Sequence, residues 1–205
     1  VSSESLTSER ILDTAEGVLR RHGIAKTTVV DVARALGVSH GSIYRHFPTK
    51  VSLHDAVAAR WLARVADPLA DIAHEDGPAD ERLRRWLRTL AEAKRRKVLD
   101  DPELFHTYHT LAEQARGVVD EHVRELTDQL TRIIRDGAAQ GRYRVASPEA
   151  AARGVFDATV RFHHPAHSRE WGHPGVDADF DVVVTMIQSA LAASGAEGGE
   201  RESGV

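Results

Sequence analysis

Cysteine is absent from the 205 residues. No disulfide framework, thiolate nucleophile or thiolate metal site can form, and any metal would have to use His, Asp or Glu. Long apolar runs are missing too. No stretch approaches the roughly 18 residues of a membrane span, and the first residues, which include Glu4, Glu9 and Arg10, lack the apolar core of a signal peptide. The expectation is a cytoplasmic protein with no membrane partner. A Rossmann glycine fingerprint, a phosphate loop, a nucleophile elbow and a recognisable acid–base pair are all missing, so an enzyme is not expected. Positive charge is not in excess either: the net charge is −4, which argues against a protein that coats nucleic acid by bulk electrostatics. The charge is unevenly spread. Residues 1–55 carry seven Lys/Arg against six Asp/Glu, so the net −4 leaves −5 for the remainder and makes the N-terminal piece the less acidic one.

What is present has helical periodicity and predicts an all-α chain of about nine helices. Ile11, Leu12, Ala15, Val18 and Leu19 share one helical face that ends at Gly23. Thr28 followed by Asp31 has the form of a capping box, opening a two-turn helix that stops at Gly37. Ser39 can cap a third short helix through Ile43, Tyr44 and Phe47, which Pro48 ends, and a long connector helix from Thr49 to about His74 follows. Further helices are placed by the stripes around Leu83–Leu90, Leu104–Leu111, Val119–Ile134, Ala151–Val160 and Phe180–Leu191; Asp101-Pro102 and Ser147-Pro148 mark two starts. The Gly- and Glu-rich stretch 195–205 is expected to be a disordered tail.

The most specific signal lies in residues 28–50. A two-turn helix, Gly37 at the turn and a second short helix form a helix-turn-helix, whose second helix fits the major groove. Ser39, His40, Ser42 and Arg45 can offer hydrogen bonds to base edges, Gly41 lets the backbone approach closely, and Tyr44, His46 and Lys50 can bond phosphates. The competing reading is a plain helical hairpin in which Tyr44 and Phe47 are core residues and the polar groups are merely solvated.

Gly23, Thr27-Thr28, Asp31-Val32-Ala33, Leu36-Gly37-Val38-Ser39 and the run Gly41-Ser42-Ile43-Tyr44-Arg45-His46-Phe47-Pro48-Thr49-Lys50 together resemble the DNA-binding domain of the tetracycline-repressor (TetR) family over about forty residues. The resemblance implies three N-terminal DNA-binding helices in residues 1–52, a larger helical domain in 53–194 that binds a small inducer, and a homodimer built through the last two helices. It implies that Thr28, Tyr44, His46 and Lys50 hold phosphates while Ser39, His40, Gly41, Ser42 and Arg45 face the groove. The function it implies is a repressor released from a palindromic double-stranded operator by a small molecule. Ala151, Ala152, Gly154 and Ala158 are small enough to let two copies of a helix approach.

Trp86, Leu90, Phe105, Tyr108, Phe156 and Phe162 are the candidate lining of the inducer pocket, being large apolar side chains with polar groups nearby. The histidines suggest a different chemistry. His106 and His109 share a helix face and His163-His164 ends another helix, so the four could hold a divalent metal if they met in space. No cofactor is otherwise required. A metal-responsive regulator is the alternative, and a metal-dependent enzyme using the same histidines is a more distant one.

Overall fold

The computed structural model describes residues 6–192, apart from the side chain of Lys26. The expected tail at 195–205 lies outside the described residues. Ten α-helices and two short 3-10 turns make up the described chain, with no strand among the described residues. No described helix is long and apolar enough to cross a membrane. Packing divides the chain into two compact units: residues up to 68 with 96–125, and 69–95 with the residues from 126 onward.

In the first unit, α1 (Ser8–His22) starts where the Thr7 hydroxyl accepts from the Arg10 amide, and buries Ile11, Leu12, Ala15, Val18 and Leu19. α2 (Val29–Leu36) ends at Gly37, whose φ of 67° and ψ of 30° are left-handed and suit a residue without Cβ. α3 (His40–Tyr44) is only five residues long. The expected run to Phe47 is cut short after Tyr44, where the amides of His46 and Phe47 both turn back to the Ile43 carbonyl at 2.9 Å. α4 (Lys50–His74) opens with a reciprocal cap: Thr49 Oγ1 accepts from the Ser52 amide at 2.9 Å, and Ser52 Oγ accepts from the Thr49 amide at 3.0 Å. α6 (Pro102–Gln114) is capped by Asp101, which accepts from the Leu104 amide at 3.0 Å. One continuous core joins these elements. Ile11, Val32, Ile43, Leu53, Val57 and Trp61 share it with Phe105, Tyr108 and Leu111 of α6.

The second unit is built on the 79–95 portion of α5 (Ala79–Asp100), α7 (Arg116–Ala139) from Leu126 on, α8 (Pro148–Ala158), α9 (Val160–His163) and α10 (Val176–Ala192). Leu83, Trp86, Leu90, Leu130, Ile133, Val155, Phe180 and Val184 are buried there. The eighth helix, expected to run on to Val160, breaks at Thr159. The Thr159 hydroxyl donates back to the carbonyls of Val155 (2.9 Å) and Phe156 (3.1 Å), and its φ of −100° with ψ of 5° leaves the helical path. This break turns the nine expected helices into ten.

At the end of α7 the chain doubles back and the Tyr143 ring lies against Gly137, where a Cβ would fall inside the contact distance of the ring. Tyr143 is buried, its hydroxyl has no hydrogen-bond partner among the described residues, and burial, followed by the charge of Asp80, pushes its phenol far above the usual range. Two opposite outcomes are expected in urea denaturation. Gly137→Ala should destabilise by about 1–3 kcal/mol through overpacking. Tyr143→Phe should be neutral or stabilising by up to about 1 kcal/mol, since it removes an unsatisfied buried hydroxyl; a loss above 2 kcal/mol would show that the hydroxyl has a partner.

Candidate nucleic-acid interface

α3 presents one face to the core and the other to solvent. Ile43 is fully buried and Phe47 nearly so, whereas Tyr44 is 45% exposed, and His40, Gly41 and Arg45 are exposed with it. The hairpin reading, with Tyr44 in the core, does not describe this arrangement. Ser39 and Ser42 are occupied with each other: the Ser39 Oγ accepts from the Ser42 amide at 3.2 Å and the two hydroxyls lie 2.9 Å apart. They serve first as the cap of α3. Thr28 is engaged in the same way at the start of α2, accepting from the Asp31 amide at 3.2 Å and donating its hydroxyl to the Asp31 carboxylate at 2.5 Å. His46 is exposed and its Nδ1 lies 3.1 Å from the Ser8 hydroxyl at the start of α1.

Lys50 is exposed at the first position of α4, where the helix dipole is positive. No acid stands in the first turn of α4 or of α3. A lysine at the end of a helix that ordinarily attracts carboxylates makes a strongly positive point, the arrangement that binds phosphate groups.

Several contacts that hold this surface in place are not apparent from the sequence. His54 is buried on α4, and its Nε2 donates to the Thr27 carbonyl at 2.7 Å, tying α4 to the chain just before α2. A carbonyl can only accept, so the proton sits on Nε2. Desolvation keeps the His54 pKa below its ordinary 6.5, outweighing the raising effect of the Thr27 bond, with the charge of Lys50 adding a smaller lowering. Arg60 pairs with Asp13, with Glu16 at 3.2 Å and with Glu9 at 3.5 Å, while Arg64 meets Glu16 at 2.8 Å. These join α4 to α1. Their signal was the acid spacing Glu9, Asp13, Glu16 along one face of α1, which reads as a solvated face until its partner helix is known.

The six candidate ligand-lining residues fall in both units. Phe105 and Tyr108 belong to the core of the first, where Tyr108 stacks on Trp61 with ring centres 5.0 Å apart. Trp86, Leu90, Phe156 and Phe162 belong to the second. Trp86 donates its indole N–H to Gln129 at 2.9 Å, and Phe162 meets Phe180 edge-on at 5.3 Å. A small cleft in that unit is lined by Phe162, Trp171 and Phe180 with Arg88 and Arg95.

The histidines are likewise divided, His106 and His109 in the first unit and His163 and His164 in the second. His109 stacks on Phe105 and faces Glu113 at 3.5 Å. His164 Nδ1 accepts from the Ala166 amide at 3.2 Å. His163 is buried and its Nε2 lies 3.2 Å from the Phe156 carbonyl; desolvation, aided by the charges of Lys94, His164 and His167, lowers its pKa to about 4 against the raising effect of that bond. Among the described residues no group of three or more His, Asp or Glu is placed to hold a metal ion.

The His54 geometry carries a pH signature. Between 6.5 and the lower folded value, the unfolded chain takes up a proton that the folded chain refuses, so stability falls as pH drops through that window. His54→Gln, which keeps a donor for Thr27 and removes the titration, should flatten this part of the stability profile in urea titrations at successive pH values. An unchanged slope would remove His54 as a contributor.

Comparison with known proteins gives the same reading at both ends of the chain. The pattern of the family described as "Bacterial regulatory proteins, tetR family" matches residues 11–57, and that of the "Tetracyclin repressor-like, C-terminal domain" matches 79–184, just over half of the chain. The HTH-type transcriptional regulator TtgR of Pseudomonas putida is 39% identical over 74 residues, which are 36% of this chain and 35% of that protein. The HTH-type transcriptional repressor Rv3405c of Mycobacterium tuberculosis is 38% identical over 86 residues, 40% of this chain and 44% of that one. The matched stretch thus spans between a third and a half of these relatives. Among solved structures, SmeT, the repressor of the Stenotrophomonas maltophilia multidrug efflux pump SmeDEF, superposes with a TM-score of 0.65 at 21% identity, covering 93% of each chain, which bears on the fold. Two family patterns, one over the helix-turn-helix and one over most of the helices that follow, place this chain in the tetracycline-repressor family.

Proposed function

We propose that the chain is a dimeric transcriptional repressor that reads a palindromic operator with α3 and is released by a small molecule bound among its later helices. The observation that carries the reading is the exposed face of His40, Gly41, Tyr44 and Arg45 beside the acid-free, lysine-bearing start of α4. Base edges would be read from the first turn of α3, with Gly41 allowing close approach. Phosphates would be held by Tyr44, His46 and Lys50. Residues 1–52 form the reading module in this scheme and 53–194 the sensing and dimerising part. The caps at Thr28, Ser39 and Ser42 narrow the list of groups with hydrogen-bonding capacity to spare, so Arg45 and His40 are the stronger candidates for specificity.

A dimer is supported by an apolar surface on α8 and α10. Gly154 and Ala158 are exposed, as are Val182 and Met186, four residues apart on α10. A Cβ on Gly154 would meet nothing within 4 Å in its own subunit. Gly154→Trp should therefore leave the subunit folded while weakening self-association, a difference that equilibrium sedimentation resolves; a variant as dimeric as the parent would move the interface elsewhere.

The reading of DNA is tested on a duplex selected by the protein from a random library. Lys50→Ala should weaken binding to all sequences alike and reduce the salt dependence by about one charge. Arg45→Ala should cost roughly 1–3 kcal/mol and relax preference at one base position. Fluorescence anisotropy across salt concentrations reads both effects. Full affinity and unchanged preference in Arg45→Ala would put the groove face elsewhere, and no selected sequence at all would overturn the repressor reading.

A further inference from the structure

The cleft in the second unit opens where α5 meets the start of α10, and one small residue accounts for it. Ala91 shares its face of α5 with Arg88, Glu92 and Arg95, so a methyl group among three long side chains leaves a gap. The buried rings of Phe162, Trp171 and Phe180 close its inner side. The space is about 320 Å³ with the part open to solvent counted, the low end for a ligand site, which fits one ring and a short arm.

The polar groups around this space are engaged, with one exception. Arg95 holds Asp177 at 2.9 Å and Arg88 is paired with Asp181, both acids belonging to α10. An incoming anion would have to displace one of them. The indole N–H of Trp171 donates to the Arg161 carbonyl at 2.8 Å, so the aromatic side has no donor to spare. Glu92 is the exception: it is exposed at the cleft, and its carboxylate has no hydrogen bond or ion pair among the described residues. The rings already draw positive charge. The Arg88 guanidinium lies 5.2 Å from the centre of Phe180, and that of Arg161 lies 5.9 Å from the centre of Phe162, within reach of cation–aromatic attraction.

We propose that this cleft binds an arylalkyl ammonium ion, its ring entering over Ala91 against Phe162, Trp171 and Phe180 and its cation meeting Glu92. The inference deepens the repressor reading by naming the class of its small molecule, and rests on that reading for the word inducer, though not for the binding itself. Both ends of such a ligand find a complement. An apolar ring gains by covering aromatic surface, and an ammonium gains from the one lining carboxylate that holds no arginine. An aryl carboxylate of the same size finds two arginines that are already neutralised, and the unpaired Glu92 repels it.

The probe is 2-phenylethylammonium, with 2-phenylethanol as its uncharged counterpart and phenylacetate as the anion, each titrated by calorimetry into the full chain without DNA. The ammonium should bind roughly threefold to thirtyfold more tightly than the alcohol, the combined range of an exposed ion pair and a cation–aromatic contact, and phenylacetate should bind most weakly. Glu92→Gln, which keeps the shape and removes the charge, should bring ammonium and alcohol to near-equal affinity. Ala91→Leu, which fills the gap, should weaken both by roughly tenfold or more. Urea denaturation of each variant confirms that the fold is retained. Equal affinity for ammonium and alcohol in the parent protein, no saturable binding of either, tighter binding of phenylacetate, or an undiminished preference in folded Glu92→Gln would overturn the proposal. So would full affinity in folded Ala91→Leu. Operator binding is measured separately. Selective ammonium binding that leaves operator affinity unchanged would uphold the site and count against the inducer mechanism.

Discussion

A helix of five residues cannot hold its own shape. Forming the first turn is unfavourable, and isolated helices shorter than about 12 residues are marginal in water. α3 is such a helix, so its geometry is imposed by its neighbours. Ile43 anchors it from below with no exposed surface, Ser39 caps its start, and the return of two amides to the Ile43 carbonyl closes its end above buried Phe47. This dependence explains the chemistry around it. Hydroxyls that could touch DNA are first spent as caps, and the surface left over is narrow: Tyr44, Arg45 and His40 with the open backbone of Gly41.

The next layer outward is α4. Leu53, Val57 and Trp61 enter the core that holds Ile43, and His54 adds a buried bond to Thr27. Around that core, Arg60 and Arg64 gather three acids of α1, an exposed network whose individual pairs are worth little but whose shared geometry fixes the helix against sliding. On another side Lys97 sits 4.5 Å from the Trp61 ring centre, and the same indole stacks on Tyr108. Burial, with the nearby charge of Arg64, lowers the Lys97 ammonium to about 8. The packing around α4 is therefore more than apolar: Trp61 stacks on Tyr108 of α6 and takes a cation from the last turn of α5.

Much of this was legible in the residues. The caps at Thr28, Ser39, Asp101 and Ser147 and the left-handed glycine at 37 announce helix ends through chemistry local to a few residues. The exposed face of α3 was legible for the same reason, since a helix-turn-helix compresses its outward surface into one short stretch. What escaped depends on distant parts of the chain meeting. An apolar stripe on α6 announces burial without saying in which core, and it is Trp61 of α4 that Phe105 and Tyr108 pack with. Nothing linear reveals that residues 96–125 pack with the first helices. The break at Thr159 also escaped, because a threonine that bonds its own preceding turn looks in sequence like any other helical threonine.

The two ends of α4 show how one dipole is put to opposite uses. At its C-terminal end the carbonyls of Ala73 and Glu75 receive the guanidinium of Arg82 at 3.2 and 2.8 Å, a cation 4% exposed that is itself paired with Asp136 at 2.8 Å. The negative pole is thus neutralised inside the fold, where an uncompensated charge would be costly. At the N-terminal end the neutral hydroxyls of Thr49 and Ser52 satisfy two amides without adding negative charge, and Lys50 adds positive charge to a pole that is already positive. Folding alone gives no reason to place a lysine there, since an acid at that position would stabilise the helix by about 0.3–1 kcal/mol. The arrangement gains only when an anion arrives from solution. The proposed operator contact at Lys50 would supply that anion, so that one pole of α4 is compensated within the fold and the other by a phosphate.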